Sequence, residues 1–357
     1  MKKWIINSAD QPDEAMKAAA IRRQLELTKP PGALGRLEDI AVELSAMQGR
    51  LNPSAKNVQI AVFAGDHGVA CEGVSAFPQV VTVEMVKNFI RGGAAISVMA
   101  RELGAGLTVV NAGTVNEEPF AQPVVDRPIA AGTQNLVDES AMAESQCVQA
   151  LDLGKDIIDG FPEDTEIVIG GEMGIANTTS ATALGVAFGA GTAAELVGPG
   201  TGLDHEGVEL KRKVIERALS RFNNAHSVVQ PLVILYELGG FEIAALVGYF
   251  IRAAQQRLAI LVDGFIASAA ALAACRINPS VRQWMIFAHS SPEPGHRLVL
   301  EALHASPLVS LGMRLGEGSG SAVAVTLLRS ACALQNGMAT FAEAGVSDAL
   351  SDSTSDS

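Results

Sequence analysis

The chain has 357 residues, 48% of them hydrophobic and 18% charged, with 35 glycines, so it can bury a large core and is not disordered as a whole. Its formal net charge of −13 opposes binding to nucleic acid or to an anionic membrane, and an anionic substrate would need a local positive pocket. No apolar segment has the length of a secretion signal or of a membrane span, so we expect a cytoplasmic protein.

The order of the predicted elements indicates the fold class. Two helices separated by Pro30-Pro31-Gly32 are predicted within residues 13–49. Five short β-branched runs then alternate with helical patterns, at 58–64, 107–113, 166–171, 258–264 and 284–289. This alternation predicts an α/β fold, with a parallel, Rossmann-like sheet flanked by helices and a smaller helical lobe built from N- and C-terminal segments.

The predicted domain organisation has four regions. Residues 1–55 form the N-terminal part of the helical lobe, and residues 56–305 form the α/β core. Residues 306–345 supply an active-site loop and C-terminal helices that join the small lobe. Residues 346–357 are acidic and lack apolar periodicity, so we expect a disordered tail.

Polar residues follow four of the five predicted strands. Ligands of parallel sheets bind at the carboxyl ends of the strands, where loops and helix N termini converge. The segments found there are Asp66-His67-Gly68, Gly171-Glu172-Met173-Gly174, Asp263-Gly264 and His289-Ser290-Ser291. We therefore expect the chemistry of the protein at this edge of the sheet.

The segment after the third predicted strand is typical of an anion-binding turn. Glycines allow main-chain amides to approach a phosphate, and a helix that begins at Asn177-Thr178-Thr179-Ser180 adds donors and a positive dipole. Ordinary helix capping by Asn and Thr explains the same residues equally well.

A second Gly-rich turn, 198–202, precedes a helical stretch with Lys211, Arg212 and Lys213. This is the strongest local cationic group in an acidic chain, although such a run taken alone is more often a solvated helix face. Its position after the glycine turn favours a role in anion binding.

The third Gly-rich segment places Glu317 between Gly316 and Gly318, just before an apolar helix. Desolvation by Leu315 and nearby aliphatic residues would raise the pKa of this carboxylate toward neutrality, which suits a general base. The alternative is a glutamate favoured in the first turn by the helix dipole.

Other site types receive little support. The scattered histidines and the four cysteines lack the spacing of metal ligands, so no metal site is expected, and the cysteines are expected to be reduced core thiols. No GxSxG elbow presents a serine for hydrolysis, and no GxGxxG fingerprint marks a dinucleotide site.

At residues 14 to 345 the chain resembles the nicotinate-nucleotide-dimethylbenzimidazole phosphoribosyltransferase family. The segments that carry the resemblance are KPPGALGRLE (29–38), GDHGVACEGVSAFPQ (65–79), GGEMGIANTTSATAL (170–184), DGF (263–265) and MRLGEGSG (313–320). It implies transfer of ribose phosphate from nicotinate mononucleotide to 5,6-dimethylbenzimidazole with inversion at the anomeric carbon, for cobalamin assembly. It also implies a homodimer that needs no cofactor.

The resemblance also assigns residue roles. It makes Glu317 the catalytic base and Glu172 a second carboxylate that orients the substrate. It places Phe77, Pro78, Val83, Met85 and Leu315 around the aromatic base. The candidates for holding phosphate and ribose are Gly174, Asn177, Thr178, Thr179, Ser180, Gly200, Gly202, Lys211, Asp263, Ser291 and Arg314.

Three alternatives remain open from the sequence. A member of the same family could use another acceptor, such as a different benzimidazole, adenine or a phenol. The α/β alternation alone would also suit a nucleotide-binding oxidoreductase or a non-catalytic nucleotide sensor.

Overall fold

The structure is a computed structural model that describes residues 2–116, 118–226 and 230–347. The chain forms two compact units. The first comprises residues 1–10 and 57–324, and the second comprises residues 11–56 and 325–357.

A six-stranded parallel sheet forms the centre of the first unit. Its strands are β1 (Val58–Gly65), β2 (Gly106–Gly113), β3 (Val125–Asp126), β4 (Ile167–Met173), β5 (Ala259–Val262) and β6 (Met285–Phe287). The order across the sheet is β3-β2-β1-β4-β5-β6, and every neighbouring pair is parallel. The prediction of a Rossmann-like parallel sheet is confirmed, with the two-residue edge strand β3 added.

Fifteen α-helices lie in the described part of the chain. They are α1 (Lys3–Ile6), α2 (Glu14–Glu26), α3 (Arg36–Gln48), α4 (Val81–Arg91), α5 (Ala95–Leu103), α6 (Glu144–Asp159), α7 (Asn177–Ala187), α8 (Ala193–Leu196), α9 (His205–Ala225), α10 (Pro231–Leu238), α11 (Phe241–Gln255), α12 (Phe265–Ile277), α13 (Pro294–Ala302), α14 (Ser319–Gly337) and α15 (Phe341–Ala344). Two short 3₁₀ helices span Gly68–Glu72 and Pro279–Trp284.

The sheet is covered by helices on both faces, which explains its sequence pattern. Seven of the eight residues of β1 are buried, and so are all four residues of β5. Strands that are buried on both faces have continuous apolar sequences rather than sequences in which apolar and polar residues alternate. The strand order reverses at β1, between β2 and β4, and such a switch point opens a crevice at the carboxyl ends of the strands.

The largest helix contact of the first unit joins α6 and α11 through two glycines. A Cβ atom on Gly154 would lie 1.9 Å from the Ala245 carbonyl oxygen, and a Cβ atom on Gly248 would lie 2.0 Å from the Leu151 carbonyl oxygen. The two backbones therefore touch at both points. Helix α11 is buried along most of its length, which accounts for its apolar sequence without a membrane role.

The second unit contains α2, α3, α15 and the C-terminal part of α14. Its two predicted N-terminal helices are present, and the amide side chains of Gln24 and Gln335 hydrogen-bond inside it at 2.5 Å. The Lys29 ammonium lies 2.8 Å from the Glu38 carboxylate, with both side chains largely buried.

The observed units differ from the predicted regions at both ends. Residues 1–10 group with the first unit, where the Trp4 indole N–H donates to Asp152 at 3.0 Å and Asn278 donates to the Ile5 carbonyl at 3.1 Å. Residues 306–324 also group with the first unit. Most of the predicted acidic tail, residues 348–357, lies outside the described residues.

Within residues 2–116, 118–226 and 230–347, no helix has the length and apolarity to cross a bilayer. Within them, His, Cys, Asp and Glu side chains do not gather in threes as metal ligands do. The prediction of core thiols is wrong for Cys71, which is exposed because it lies in a surface 3₁₀ turn; Cys147 and Cys332 are buried.

Candidate active site

A cavity of about 270 Å³ opens at the carboxyl ends of β4, β5 and β6. Its walls come from the loops after these strands and from the Gly-rich segments 198–202 and 313–318. The residues that line it are Phe77, Glu172, Met173, Gly174, Ile175, Asn177, Thr178, Gly200, Thr201, Asp263, Gly264, Phe265, Ile266, His289, Ser291, Glu293, Arg314, Leu315 and Gly316. This is the edge of the sheet at which the sequence predicts the chemistry.

Glu172, at the end of β4, is a buried carboxylate that lines the cavity. The Asn177 side-chain amide, on the first residue of α7, donates a hydrogen bond to its Oε2. Burial, followed by the nearby carboxylates of Glu242 and Asp263, raises the pKa of Glu172 to about 8. Glu172 is therefore mostly a neutral carboxylic acid at pH 7.

Glu317 lies beside the cavity in an unusual backbone conformation. Its φ angle is +65°, between φ angles of +85° at Gly316 and +86° at Gly318. A residue with a Cβ atom adopts this left-handed region at a cost, and such strain is concentrated at functional sites. The Gly171 main chain packs against the carbonyl group of Glu317, where a Cβ on Gly171 would lie 2.2 Å from the oxygen.

The carboxylate of Glu317 points to the N terminus of α5. Its Oε2 accepts a hydrogen bond of 3.3 Å from the main-chain N–H of Ile96, and the residue is only 4% exposed. Burial raises the pKa of Glu317, the Asp263 carboxylate adds to this effect, and the Ile96 N–H opposes it. Leu315, which the sequence analysis expected to desolvate Glu317, is 58% exposed. The burial comes from the α5 and β4 backbones instead.

Asp263 completes this group of carboxylates. Its Oδ1 accepts the main-chain N–H of Ser321 at 2.7 Å and lies 3.8 Å from His289 Nε2. Burial raises the pKa of Asp263, while His289 and the main-chain amides oppose the increase. Three acidic side chains thus share one end of the site.

The cavity also has a cationic end, which is formed by Lys211 and Arg314. Lys211 is buried, and its Nζ donates to Thr178 Oγ1 at 2.6 Å and to the Gly198 carbonyl at 3.3 Å. Burial lowers the pKa of Lys211 to about 8. Gly200 has a φ angle of +53°, and a Cβ atom there would lie 2.9 Å from Thr178 Oγ1. This close approach leaves the Gly200 main chain at the cavity wall.

The neighbours of Lys211 in the cationic run do not take part in this arrangement. Arg212 forms ion pairs with Glu209 and Glu216, and Lys213 lies 3.6 Å from Glu209, all on one helix. These two residues belong to the solvated face of α9, as the alternative interpretation expected. Arg314, an exposed residue, reaches the Gly200 carbonyl at 3.5 Å and adds a second cation at the cavity.

The predicted site residues fall into two groups. The structure brings the following of them together around the cavity: Glu172, Phe77, Leu315, Gly174, Asn177, Thr178, Gly200, Asp263, Ser291 and Arg314. The others do not line it: Glu317, Pro78, Val83, Met85, Thr179, Ser180, Gly202 and Lys211. Glu317 and Lys211 nevertheless adjoin it, through Gly316 and Thr178.

Of the residues predicted to surround an aromatic base, two line the cavity and three do not. Phe77 and Leu315 line the cavity and are 51% and 58% exposed, so both present apolar surface at its mouth. Pro78 is exposed outside it, whereas Val83 and Met85 lie on α4, with Val83 buried in the protein core.

Ser180 belongs to a separate buried network. His67 lies between Ser180 Oγ, 3.0 Å from its Nδ1, and Glu242 Oε1, 2.7 Å from its Nε2. The three residues resemble a hydrolytic triad in order, but all three are completely buried. This network holds the start of α7 to the end of β1 and offers no surface to a substrate.

Sequence reasoning missed Glu293 and did not assign a role to His289. Glu293 is a buried carboxylate that lines the cavity near Lys211 and Arg314. A single glutamate in SSPEPGH carries no local signal for such a position, because its role depends on the 198–202 loop that folds against it.

Comparisons with known proteins identify the family. The family described as phosphoribosyltransferase matches residues 9–346. A protein from Xanthomonas axonopodis pv. citri (strain 306), named nicotinate-nucleotide–dimethylbenzimidazole phosphoribosyltransferase, is 57% identical over 348 residues, which cover 97% of this chain and 99% of that protein. The chain belongs to the nicotinate-nucleotide–dimethylbenzimidazole phosphoribosyltransferase family.

Other members of this phosphoribosyltransferase family agree. A protein of the same name from Pseudomonas aeruginosa (strain PAO1) is 54% identical over 346 residues, 97% of this chain and 98% of that protein. A crystal structure with this name from Thermus thermophilus matches with a TM-score of 0.87 and 40% identity, covering 94% of this chain and 99% of that one. The family resemblance carried by MRLGEGSG and GGEMGIANTTSATAL is confirmed.

Proposed function

We propose that the chain transfers the phosphoribosyl group of nicotinate mononucleotide to 5,6-dimethylbenzimidazole, giving α-ribazole 5'-phosphate and nicotinate for cobalamin assembly. Support comes from full-length relatives that are named for this pair of substrates. The observation that carries the proposal is the meeting of two buried carboxylates, Glu172 and Glu317, at one end of a cavity whose other end holds Lys211 and Arg314.

The proposed reaction is a displacement at C1' of the ribose. One ring nitrogen of the benzimidazole attacks C1' as the bond to the pyridine nitrogen breaks, so the β-linked donor gives an α-linked product. The pyridine nitrogen is cationic in the donor and takes up the electron pair of the breaking bond. Nicotinate therefore leaves without protonation of its ring, and no general acid is needed.

The proton that must move belongs to the second ring nitrogen of the benzimidazole. Attack makes this N–H acidic, and a carboxylate with a raised pKa accepts its proton more readily than an ordinary one. We assign this role to Glu317, whose pKa is raised by burial. Glu172, which is mostly neutral at pH 7, would orient the substrate by donating a hydrogen bond.

The cationic end of the cavity suits the phosphate group. The Thr178 hydroxyl, which lines the cavity, is held by Lys211 at 2.6 Å, and Gly200 lines the cavity beside it. Arg314 supplies a charge that a phosphate oxygen can meet directly. Phe77 and Leu315, at the mouth, would cover the faces of the aromatic base.

The proposal includes a homodimer located in the cytoplasm and a reaction that uses only the two small-molecule substrates. The family resemblance supports the dimer and the absence of a cofactor, and the acidic charge of −13 opposes nucleic-acid partners. The names of the relatives do not favour the oxidoreductase alternative or a different acceptor.

A product assay tests the proposed function. The full chain is incubated with nicotinate mononucleotide and dimethylbenzimidazole, and the products are separated and assigned by NMR. We expect equal amounts of nicotinate and an α-linked ribazole phosphate. Nicotinate released without the ribazole nucleotide, or a β-linked product, would refute the proposal. Adenine and a phenol, offered in separate reactions, rank the acceptors.

A further inference from the structure

We propose that Glu293 is the proton-binding residue of the phosphate end of the cavity, and that it takes up a proton when a phosphomonoester binds there. The inference rests on the proposed function, since it assigns the phosphate of the nucleotide to this end. It adds a residue that neither the resemblance nor the names of the relatives indicate.

The position of Glu293 is the first argument. It is the N-cap residue of α13, yet its carboxylate makes no capping bond to its own helix. The side chain turns instead to the Gly-rich loop, where a Cβ atom on Gly198 would lie 2.1 Å from Oε2. Glu293 is 7% exposed, and Oε2 is buried without a hydrogen-bond partner within the described residues. A buried, unpartnered carboxylate oxygen is costly, so it calls for a functional explanation.

The charge balance of the cavity is the second argument. Among the described residues that line it, the carboxyl groups are those of Glu172, Asp263 and Glu293, and Arg314 carries the lone permanent positive charge. At the phosphate end, Lys211 and Arg314 supply two positive charges against one negative charge of Glu293. A phosphate monoester brings a charge close to −2. When Glu293 is protonated, the two positive charges of Lys211 and Arg314 balance the negative charge of the phosphate.

The surroundings of Glu293 favour this proton uptake. Burial raises its pKa, whereas Lys211 on α9, the Gly200 N–H and Arg314 in the 313–318 segment oppose the rise. His296, on α13, has a pKa lowered to about 3 by burial, so it is neutral. Its Nδ1 accepts the Ser291 N–H at 2.9 Å. His289 also lines the cavity, 6.0 Å from His296 between ring centres.

A bound phosphate dianion would pair with Lys211 and Arg314. Because these two positive charges keep Glu293 ionised in the free protein, phosphate binding would favour protonation of Glu293.

The test counts protons. Isothermal titration calorimetry of nicotinate mononucleotide into the full chain at pH 7.0, in two buffers of very different ionisation enthalpy, gives the number of protons taken up. At this pH the phosphate is mostly a dianion and Lys211 is mostly charged, so neither contributes much. We expect the wild type to take up roughly half a proton or more beyond the Glu293→Gln variant. The matched control, Glu301→Gln on the exposed face of α13, should behave as the wild type.

A second ligand keeps the test independent of the variant. Nicotinate riboside lacks the phosphate, so its binding to the wild type should take up no such proton. Equal uptake with the nucleotide and the riboside, or equal uptake by wild type and Glu293→Gln, overturns the role of Glu293. The product assay on the same preparation separates the two proposals. If α-ribazole phosphate forms but the proton count does not change, the role of Glu293 alone falls.

Discussion

The main-chain N–H of Ile96 donates a 3.3 Å hydrogen bond to the Glu317 carboxylate. Ile96 is the second residue of α5, so the positive end of that helix faces the carboxylate. The bond favours the ionised form, whereas burial favours the protonated form. Burial is the larger of the two effects, so the pKa of Glu317 lies above its ordinary value.

We predict that Glu317→Gln lowers kcat about a hundredfold or more while the Kd of nicotinate mononucleotide changes little, because the amide keeps the shape but cannot accept the proton. Steady-state kinetics and calorimetry measure the two quantities. In the wild type, kcat should rise with pH through a pKa above the ordinary value for glutamate, and this limb should disappear in the variant. Unchanged turnover would exclude Glu317 as the base.

We predict that Glu172 makes the fold less stable as the pH rises. Its pKa is about 8 in the folded chain and near 4.5 when unfolded, so folding favours the protonated form. The favourable contribution is complete below pH 4.5 and is lost progressively up to about pH 8. Glu172→Gln keeps an acceptor for Asn177 but cannot ionise. Its loss of unfolding free energy between pH 5 and 8.5 should be smaller than that of the wild type by about 3–4 kcal/mol.

Urea denaturation at the two pH values measures this difference, and Glu301→Gln, an exposed glutamate, is the control. An identical loss in the wild type and in Glu172→Gln would show that Glu172 is ionised in the folded chain at pH 7.

We predict that Gly316→Ala lowers kcat/KM at least about tenfold, because the new methyl group meets the Glu172 carboxylate. A Cβ atom there would lie 2.5 Å from Glu172 Oε1. Gly312→Ala is the matched control: its φ of +66° resembles the +85° of Gly316, but nothing lies within 4 Å of the added carbon. Both variants carry backbone strain of about 1 kcal/mol. If the melting temperature and kcat/KM fall equally in Gly316→Ala and Gly312→Ala, then backbone strain, rather than displacement of Glu172, is responsible.

We predict that Leu315→Ala raises the KM for the aromatic base about three- to tenfold with little change in melting temperature. Leu315 lines the cavity while 58% exposed, so it contributes more to a bound ligand than to the core. Leu311→Ala is the control, since Leu311 is 60% exposed in the same segment and lies outside the cavity wall. Equal KM values for the two variants would remove Leu315 from the base site.

Five of the six strands could be predicted from the sequence because each is a mainly apolar run, and four of these runs end at a polar turn. Val125–Asp126 escaped notice because two residues carry no periodic signal. The same reasoning placed Glu172, Asn177 and Asp263 at one edge, since the carboxyl ends of parallel strands must meet there.

The directions in which individual side chains point could not be predicted from the sequence. Lys211 and Lys213 are two residues apart on one helix, yet one is buried at Thr178 and the other is solvated. Ser180 looked like a phosphate ligand, but one turn of α7 directs it to His67 instead. Glu293 could not be found, because the loop that encloses it begins about ninety residues earlier in the chain.

The left-handed backbone at residues 316–318 has a consequence for the evolution and design of this protein. Of its three residues, Glu317 alone carries a side chain, and glycine there would relieve about 1–2 kcal/mol of strain. Selection for heat resistance without a test of turnover should therefore replace Glu317 with glycine, and so should a design procedure that scores only the fold. Under the proposed mechanism, thermal stability and turnover therefore place opposite demands on residue 317 of this chain.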